Sequence, residues 1–263
     1  MSLRAGAPLM LALLLTAIAT AACGGSSLFG KRYEYEEDLY VKTDGSADLI
    51  VNSSIAALVS LRGLNFDTDP AARLDRGAIR AAFESPVTEV LRVSRPWTRG
   101  GRRFIQVRVR VADIRKLSST SPFSWSHYDL VVRDGQRVFL QTVGPSAMRP
   151  GTLRNYGWTG GELVAFRLHL PSRILWHNAR DVDTGNPTDV QRGNILAWEQ
   201  PLTDRLDGRP ISIEVRMDTQ SILYRTLWLF VSAFLAAVAL IGGLIWLTVR
   251  KGAKDAAVQT TVN

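Results

Sequence analysis

The sequence predicts an α+β, β-rich domain: an antiparallel hairpin-linked sheet, one main amphipathic helix and a single C-terminal transmembrane helix. Three observations carry this. Short segments of alternating polarity are joined by Asp-Gly and Gly-rich turns. One stretch alone reads as a well-formed helix. Apolar runs of about 20 and 24 residues stand at the two ends of the 263-residue chain. Roughly 200 residues lie between them, enough for one domain with its own core. A disordered chain, a coiled coil and a polytopic transporter are excluded, and a plain cytosolic protein is disfavoured.

The first element in chain order is a targeting segment. Residues 1–22 carry Arg4, an apolar stretch from Leu9 to Ile18, and small residues up to Ala22. This is a secretory signal peptide, too short to span the bilayer core comfortably. Cys23 is the only cysteine, so no intramolecular disulfide and no Cys-based zinc site can form. Its place after Ala21-Ala22 resembles a bacterial lipobox, with Thr20 where Leu is usual. Lipidation of Cys23 is therefore expected, with ordinary signal cleavage as the alternative. Residues 23–30, rich in Gly and Ser, form a flexible tether, and lipid on Cys23 would hold the N-terminal edge of the domain down on the bilayer.

The extracytoplasmic domain is assigned to residues 31–218. Tyr33, Tyr35, Leu39 and Val41 share one parity, with Glu34, Glu36, Asp38 and Lys42 on the other. The segment reads as a strand with an acidic outer stripe, returning through Asp44-Gly45 into a second strand over 47–52. Asp69 as N-cap and Pro70 at the first helical position predict a helix running to about Glu84. Its inner face is Leu74, Ala78, Ala81 and Ala82, with Phe83 at the edge. Arg73, Arg76 and Arg80 form a basic stripe suited to anionic headgroups or simply to solvent. A second hairpin pairs 88–93 with 103–111 around Trp97 and Gly100-Gly101, and its Arg residues are placed to meet the acidic stripe. A short helix is expected near Asp113, a third hairpin turns at Asp134-Gly135, and 144–161 is a loop. Strands over 162–170, 173–176, 194–198 and 210–217 complete about nine.

The run Thr226 to Val249 is uncharged and long enough to cross a bilayer. Trp228 and Trp246 stand near its ends as interfacial anchors, and Arg250, Lys251 and Lys254 follow it. The positive-inside bias puts residues 250–263 in the cytoplasm and the body outside, which agrees with the signal peptide. Asp218 to Arg225 forms a short linker.

The chemistry of catalysis is sparse. His127, His169 and His177 have neither zinc spacing nor Cys partners. No nucleophile elbow, P-loop or dinucleotide fingerprint occurs. Asp181, Asp183 and Asp189 lack the glutamate that closes a calcium loop. No cofactor, metal or enzymatic activity is expected. The net charge of +8 is Arg-rich, 27 Arg to 5 Lys, and diffuse. It suits a membrane surface better than nucleic acid.

One pattern is distinctive. Leu170-Pro171 leads to His177-Asn178-Ala179, a polar loop, and Gly193-Asn194-Ile195-Leu196-Ala197-Trp198, followed by a strand and the C-terminal helix. Together with the lipobox-like start and the Asp44-Gly45 hairpin, it resembles the LppM-like lipoproteins of bacteria over most of residues 23–250. Segments 56–86 and 144–161 fit least well. The resemblance implies a domain enclosing an apolar cavity that binds lipids or lipoglycans. The residues themselves read as structural: Pro171 ending a strand, Asn178 in a turn, Trp198 in the core. The expectation is a non-enzymatic membrane-tethered binding domain for a lipid or glycolipid, with a cavity lined by Tyr33, Tyr35, Phe83, Ile105, Val107 and Trp198. The rival is an assembly partner of another membrane protein, with a filled core and exposed aromatics at Trp97, Tyr156 or Trp158.

Overall fold

A computed structural model describes residues 30–148 and 156–260, with backbone alone for 251–260. The signal peptide, Cys23, nearly all of the tether and the side chain of Lys251 lie outside the described residues.

The fold is α+β and strand-rich, as predicted, but it is built from two sheets. The first has the order β10 (Ile195–Pro201), β8 (Glu162–His169), β1 (Arg32–Val41), β2 (Ala47–Ser54), β5 (Arg102–Val111), β3 (Thr88–Val93), with the short β4 (Trp97–Arg99) also on β5. The second has the order β6 (Ser126–Arg133), β7 (Gln136–Val143), β11 (Ile211–Ser221), β9 (Ser172–His177). All pairings are antiparallel except β1 with β8, which run parallel. The inner faces of both sheets contribute to one core, from Leu39, Leu49 and Val107 on the first to Phe139, Val215 and Met217 on the second.

The three predicted hairpins form as read. Gly45 (φ 89°) closes the first, and Asp134 (φ 50°) with Gly135 (φ 72°) closes the third, the left-handed pair that a two-residue turn requires. On β5, Ile105, Val107, Val109 and Val111 are buried while Arg108 and Arg110 are exposed.

The helix expected over 69–84 is shorter and shifted. It spans α2 (Arg76–Phe83; α1 is described below), capped by Asp75, whose Oδ1 accepts from Gly77 N at 2.7 Å and Ala78 N at 3.1 Å. Asp69 instead closes a local turn onto Ala71 N. The Arg103 guanidinium donates to the carbonyls of Asp67 and Ala72, which draws those oxygens away from helical bonding. The inner face is accordingly Ile79 and Phe83, one turn apart; Ala78 and Ala81 are exposed, and Leu74 and Ala82 half-buried.

A helix the sequence did not announce follows β2 directly: α1 (Ile55–Arg62), capped by Ser54 Oγ on Ala57 N at 3.0 Å and ended by Gly63 at φ 69°. Nearly every residue of it is buried, so it has no polar face and no readable periodicity.

A β-bulge between Tyr33 and Tyr35 turns Glu34 inward beside Tyr35. The acidic outer stripe is thereby broken. Glu34 is buried against Arg102, at 2.7 Å, while Glu36 and Asp38 meet Arg167 of β8, at 2.6 and 3.5 Å. None of the Arg residues expected on 103–111 meets Glu34, Glu36 or Asp38: Arg102, one residue earlier, takes Glu34, and Arg110 lies against Glu89 and Asp48 instead.

The expected linker over 218–225 is also absent. β11 runs to Ser221, and α4 (Ile222–Thr260; α3 is Leu202–Leu206) begins at the next residue. Ser221 Oγ caps Tyr224 N at 3.1 Å, and Ile222 N donates to the Pro171 carbonyl at 2.9 Å. Ile222–Arg250 is long and apolar enough to cross a membrane, and none of it is buried.

Register fixes which end of the body the helix leaves. Tyr40 of β1 pairs with His169, Ser172 pairs with Ser221, and Asp218 pairs with Gln136 at the tip of the third hairpin. The helix-proximal end therefore holds the end of β1 and the hairpin tip. Arg32 lies at the far end, nine residues or about 30 Å of strand away.

Candidate functional site

A fully buried cluster of ionisable side chains lies between the sheets. Glu37 sits on the inner parity of β1 and is fully buried. Its Oε2 accepts from Arg62 at 2.7 Å and from the Tyr35 hydroxyl at 2.9 Å; its Oε1 accepts from the Tyr128 hydroxyl at 2.8 Å and Gln141 Nε2 at 3.3 Å. Arg62, the last residue of α1, lies against the rings of Tyr35 (4.4 Å), Trp125 (4.4 Å) and Phe123 (4.9 Å), and also donates to the Pro122 carbonyl. Arg205 of α3 is wholly buried and has no carboxylate partner among the described residues. It donates to the carbonyls of Arg209 and Gly144 and lies 5.2 Å from the Trp125 ring.

Two buried guanidiniums thus flank the Trp125 ring, and Arg62 is the one that reaches the Glu37 carboxylate. Burial pushes the Glu37 carboxyl up to about 7, against the hydrogen bonds from Tyr128 and Gln141. Burial also pulls the guanidiniums down, to about 9 for Arg62 and about 10 for Arg205. The cluster ties β1, α1, β6 and β7 together and is closed to solvent, so it presents no atoms to a ligand. The sequence did not single it out. Glu37 falls on the same parity as Tyr35 and Leu39, which is the one signal that could have placed it inward.

A second buried pair stands at the far end. Arg102 bonds Glu34, approaches Glu162 at 3.6 Å, and donates to the Gly157 carbonyl at 2.8 Å. Glu162 in turn accepts from Thr159 N and Gly160 N, which fixes the described part of the 144–161 loop on β8.

The singled-out motif is a latch between sheets. Leu170 and Ala179 are buried and Trp198 is 5% exposed in the core. Asn178 Oδ1 accepts from Trp198 Nε1 and from Glu214 N, both at 3.0 Å, and its Nδ2 donates to the Ser212 carbonyl at 2.9 Å. The first sheet is thereby stitched to β11 by one amide. Pro171 stands where the chain leaves β8 for the other sheet, held by Asn194, whose Nδ2 donates to the carbonyls of Leu170 (2.9 Å) and Ser172 (2.5 Å). It is Asn194, at φ 61°, that takes the left-handed turn conformation, not Asn178. His177 is half-buried with an unpartnered Nδ1, and burial lowers its pKa. Asn178→Ala leaves the Trp198 indole N–H unpaired in the core. We expect a loss of about 2 kcal/mol in unfolding free energy, read by urea denaturation; a loss under about 0.5 kcal/mol would remove the latch.

The basic stripe is not one surface. Arg73 precedes α2 and is exposed. Arg76 Nη2 donates to the Val93 carbonyl at 2.5 Å and Arg80 to that of Val90, so both clamp the helix to β3. Of these three, Arg73 alone has no guanidinium partner among the described residues. No group of three or more His, Cys, Asp or Glu is placed to hold a metal among the described residues, and Asp181 closes a local turn on Asp183 N and Thr184.

Of the residues expected to line a cavity, Tyr35, Phe83, Ile105, Val107 and Trp198 belong to the packed core. Tyr35 meets Trp125 edge-on at 5.6 Å and Phe83 meets Phe123 at 5.9 Å, so their faces are occupied by one another. Tyr33 lies at the rim and bonds Glu199. On the outside, Trp97 is 40% exposed, stacked on Phe104, and Leu175 and Trp176 are 40% and 45% exposed on the edge strand β9. Trp228 and Trp246 are both exposed on α4, with Arg250 over the Trp246 ring at 4.9 Å.

No family model matches the chain, and no curated protein matches it. Among solved structures, it matches the NMR structure of the folded domain of the Mycobacterium tuberculosis LppM protein. The match covers 74% of this chain and 95% of that one at 10% identity, with a TM-score of 0.35. That is the kind of protein the motif pattern resembles, yet a likeness this slight assigns the chain to no family.

Proposed function

We propose that the protein is a non-enzymatic, membrane-anchored envelope domain that works at the bilayer surface and binds a lipid or glycolipid there. Its body is extracytoplasmic and its C-terminus cytoplasmic. The observation that carries this reading is the direct passage of β11 into an exposed apolar helix of membrane-crossing length. With no linker, the body is held against the headgroups by its own sheet. The topology is supported by the cationic residues after the helix and by the signal-like N-terminus.

Because the expected cavity-lining side chains pack on one another, the ligand is taken at the surface. The test is native mass spectrometry of residues 31–221 after incubation with a lipid extract of the host. A stoichiometric lipid adduct is expected, and a clean unliganded mass would overturn the lipid reading. The second reading, a partner of another membrane protein, is favoured by Leu175 and Trp176, both exposed on an edge strand whose one strand neighbour among the described residues is β11.

A further inference from the structure

We propose that the cleft where α4 leaves the body binds the phosphodiester headgroup of an anionic phospholipid. This deepens the membrane reading above and rests on α4 lying in a bilayer. The cleft, of about 280 Å³, is lined by Arg173 at the start of β9, Gln220 at the end of β11, and Ile222, Arg225, Thr226 and Leu229 of the helix.

Its chemistry is uneven in a telling way. Arg173 and Arg225 share one oxygen of one carboxylate, Asp218 Oδ2, at 3.4 and 3.2 Å. That oxygen has no hydrogen bond, and neither guanidinium donates one among the described residues. Two forked donors therefore keep their directional capacity unspent, with a net positive charge between them. A phosphodiester offers what they lack: two anionic oxygens matched to guanidinium geometry.

The surroundings select a lipid over a free anion. Arg225 directly precedes the apolar run that begins at Thr226. Tyr224 and Trp228 lie one turn apart and meet edge-on at 6.2 Å, as amphipathic rings do at headgroup depth. Ile222 and Leu229 supply an apolar wall on the side where acyl chains begin. The pairing of Asp218 with Gln136 also brings the third hairpin tip to this end, with Arg133 exposed and Arg137 Nη1 buried without a partner. Arg173 and Arg225 thus meet at the base of the helix, with the Arg-bearing tip of the third hairpin at the same end of the body. Each cation held near an anionic leaflet adds to the attraction.

The test uses the full chain in nanodiscs of phosphatidylcholine doped with phosphatidylglycerol, followed by native mass spectrometry of the lipids retained on release. The wild type is expected to retain phosphatidylglycerol preferentially. Arg173→Gln with Arg225→Gln should lower that preference on the order of tenfold, and Asp218→Asn, which frees both guanidiniums, should raise it. Arg73→Gln, distant from the cleft, should leave it unchanged. Excess inorganic phosphate should leave retention intact, and complete displacement by phosphate would overturn the lipid assignment. Equal retention by wild type and the double variant, or no gain with Asp218→Asn, would overturn the site. A body fragment that binds no lipid while the full chain keeps its preference would sink only the wider binding reading.

Discussion

Arg62→Met is expected to destabilise the body by about 3–5 kcal/mol at pH 8, because it strips a buried carboxylate of its counter-ion. Methionine roughly keeps the volume among Tyr35, Phe123 and Trp125, so the loss is electrostatic more than steric. Glu37 would keep three neutral donors, from Tyr35, Tyr128 and Gln141, which do not balance a full charge buried from water. The cost should shrink towards pH 5, where Glu37 is already protonated and the wild type carries the burden of a lone buried guanidinium. Adding Glu37→Gln should recover most of the stability at pH 8. Urea unfolding of the full chain in detergent, followed by tryptophan emission, reads all four states of this cycle. Additive single-variant losses would mean the two residues are not coupled.

Glu37→Gln alone should abolish a pH dependence of about 3 kcal/mol. The folded-state carboxyl lies at about 7 against an ordinary 4.5, raised chiefly by burial. A raised value means the native state binds the proton more tightly than the unfolded chain. The resulting stabilisation is complete below about pH 4.5 and is lost as pH rises through about 7. At roughly 1.4 kcal/mol per pH unit the gap gives about 3 kcal/mol. The wild type should therefore lose that much relative to Glu37→Gln between pH 4.5 and 8. A difference that stays flat across this window, or that grows in favour of the wild type as pH rises, would show that the Arg62 pair outweighs the dehydration of the carboxylate.

These expectations concern residues that the sequence left unmarked, and the reason is physical. Alternation identifies which side chains share a face but not which face is enclosed on both sides. Glu37 shares the parity of Tyr35 and Leu39, yet a carboxylate there is tolerable only because Arg62, Tyr128 and Gln141 arrive from three other elements. The same limit explains the shifted helix. Asp69-Pro70 is a sound start signal by itself, and Asp75 displaces it because Arg103, on a strand nearly thirty residues later, takes the carbonyls that a longer helix would need. Arg76 and Arg80 look like a solvent-facing stripe until β3 supplies carbonyls for them.

What the sequence alone determined is whatever short-range stereochemistry and bulk hydropathy dictate. The Asp44-Gly45 and Asp134-Gly135 turns follow from residues that accept left-handed backbone, the inner face of β5 from strict alternation, and a helix long and apolar enough to cross a membrane from its composition. Tertiary structure alone decided the division into two sheets, the parallel seating of β8 on β1, the burial of Glu34 by a one-residue bulge, and the seamless join of β11 to the helix. Each depends on pairing between segments far apart in the chain, and nothing local encodes which strand will be a neighbour. The Arg173–Asp218–Arg225 cleft belongs to this second group: its three charges lie within 53 residues of sequence but become one site only when β9, β11 and the helix meet.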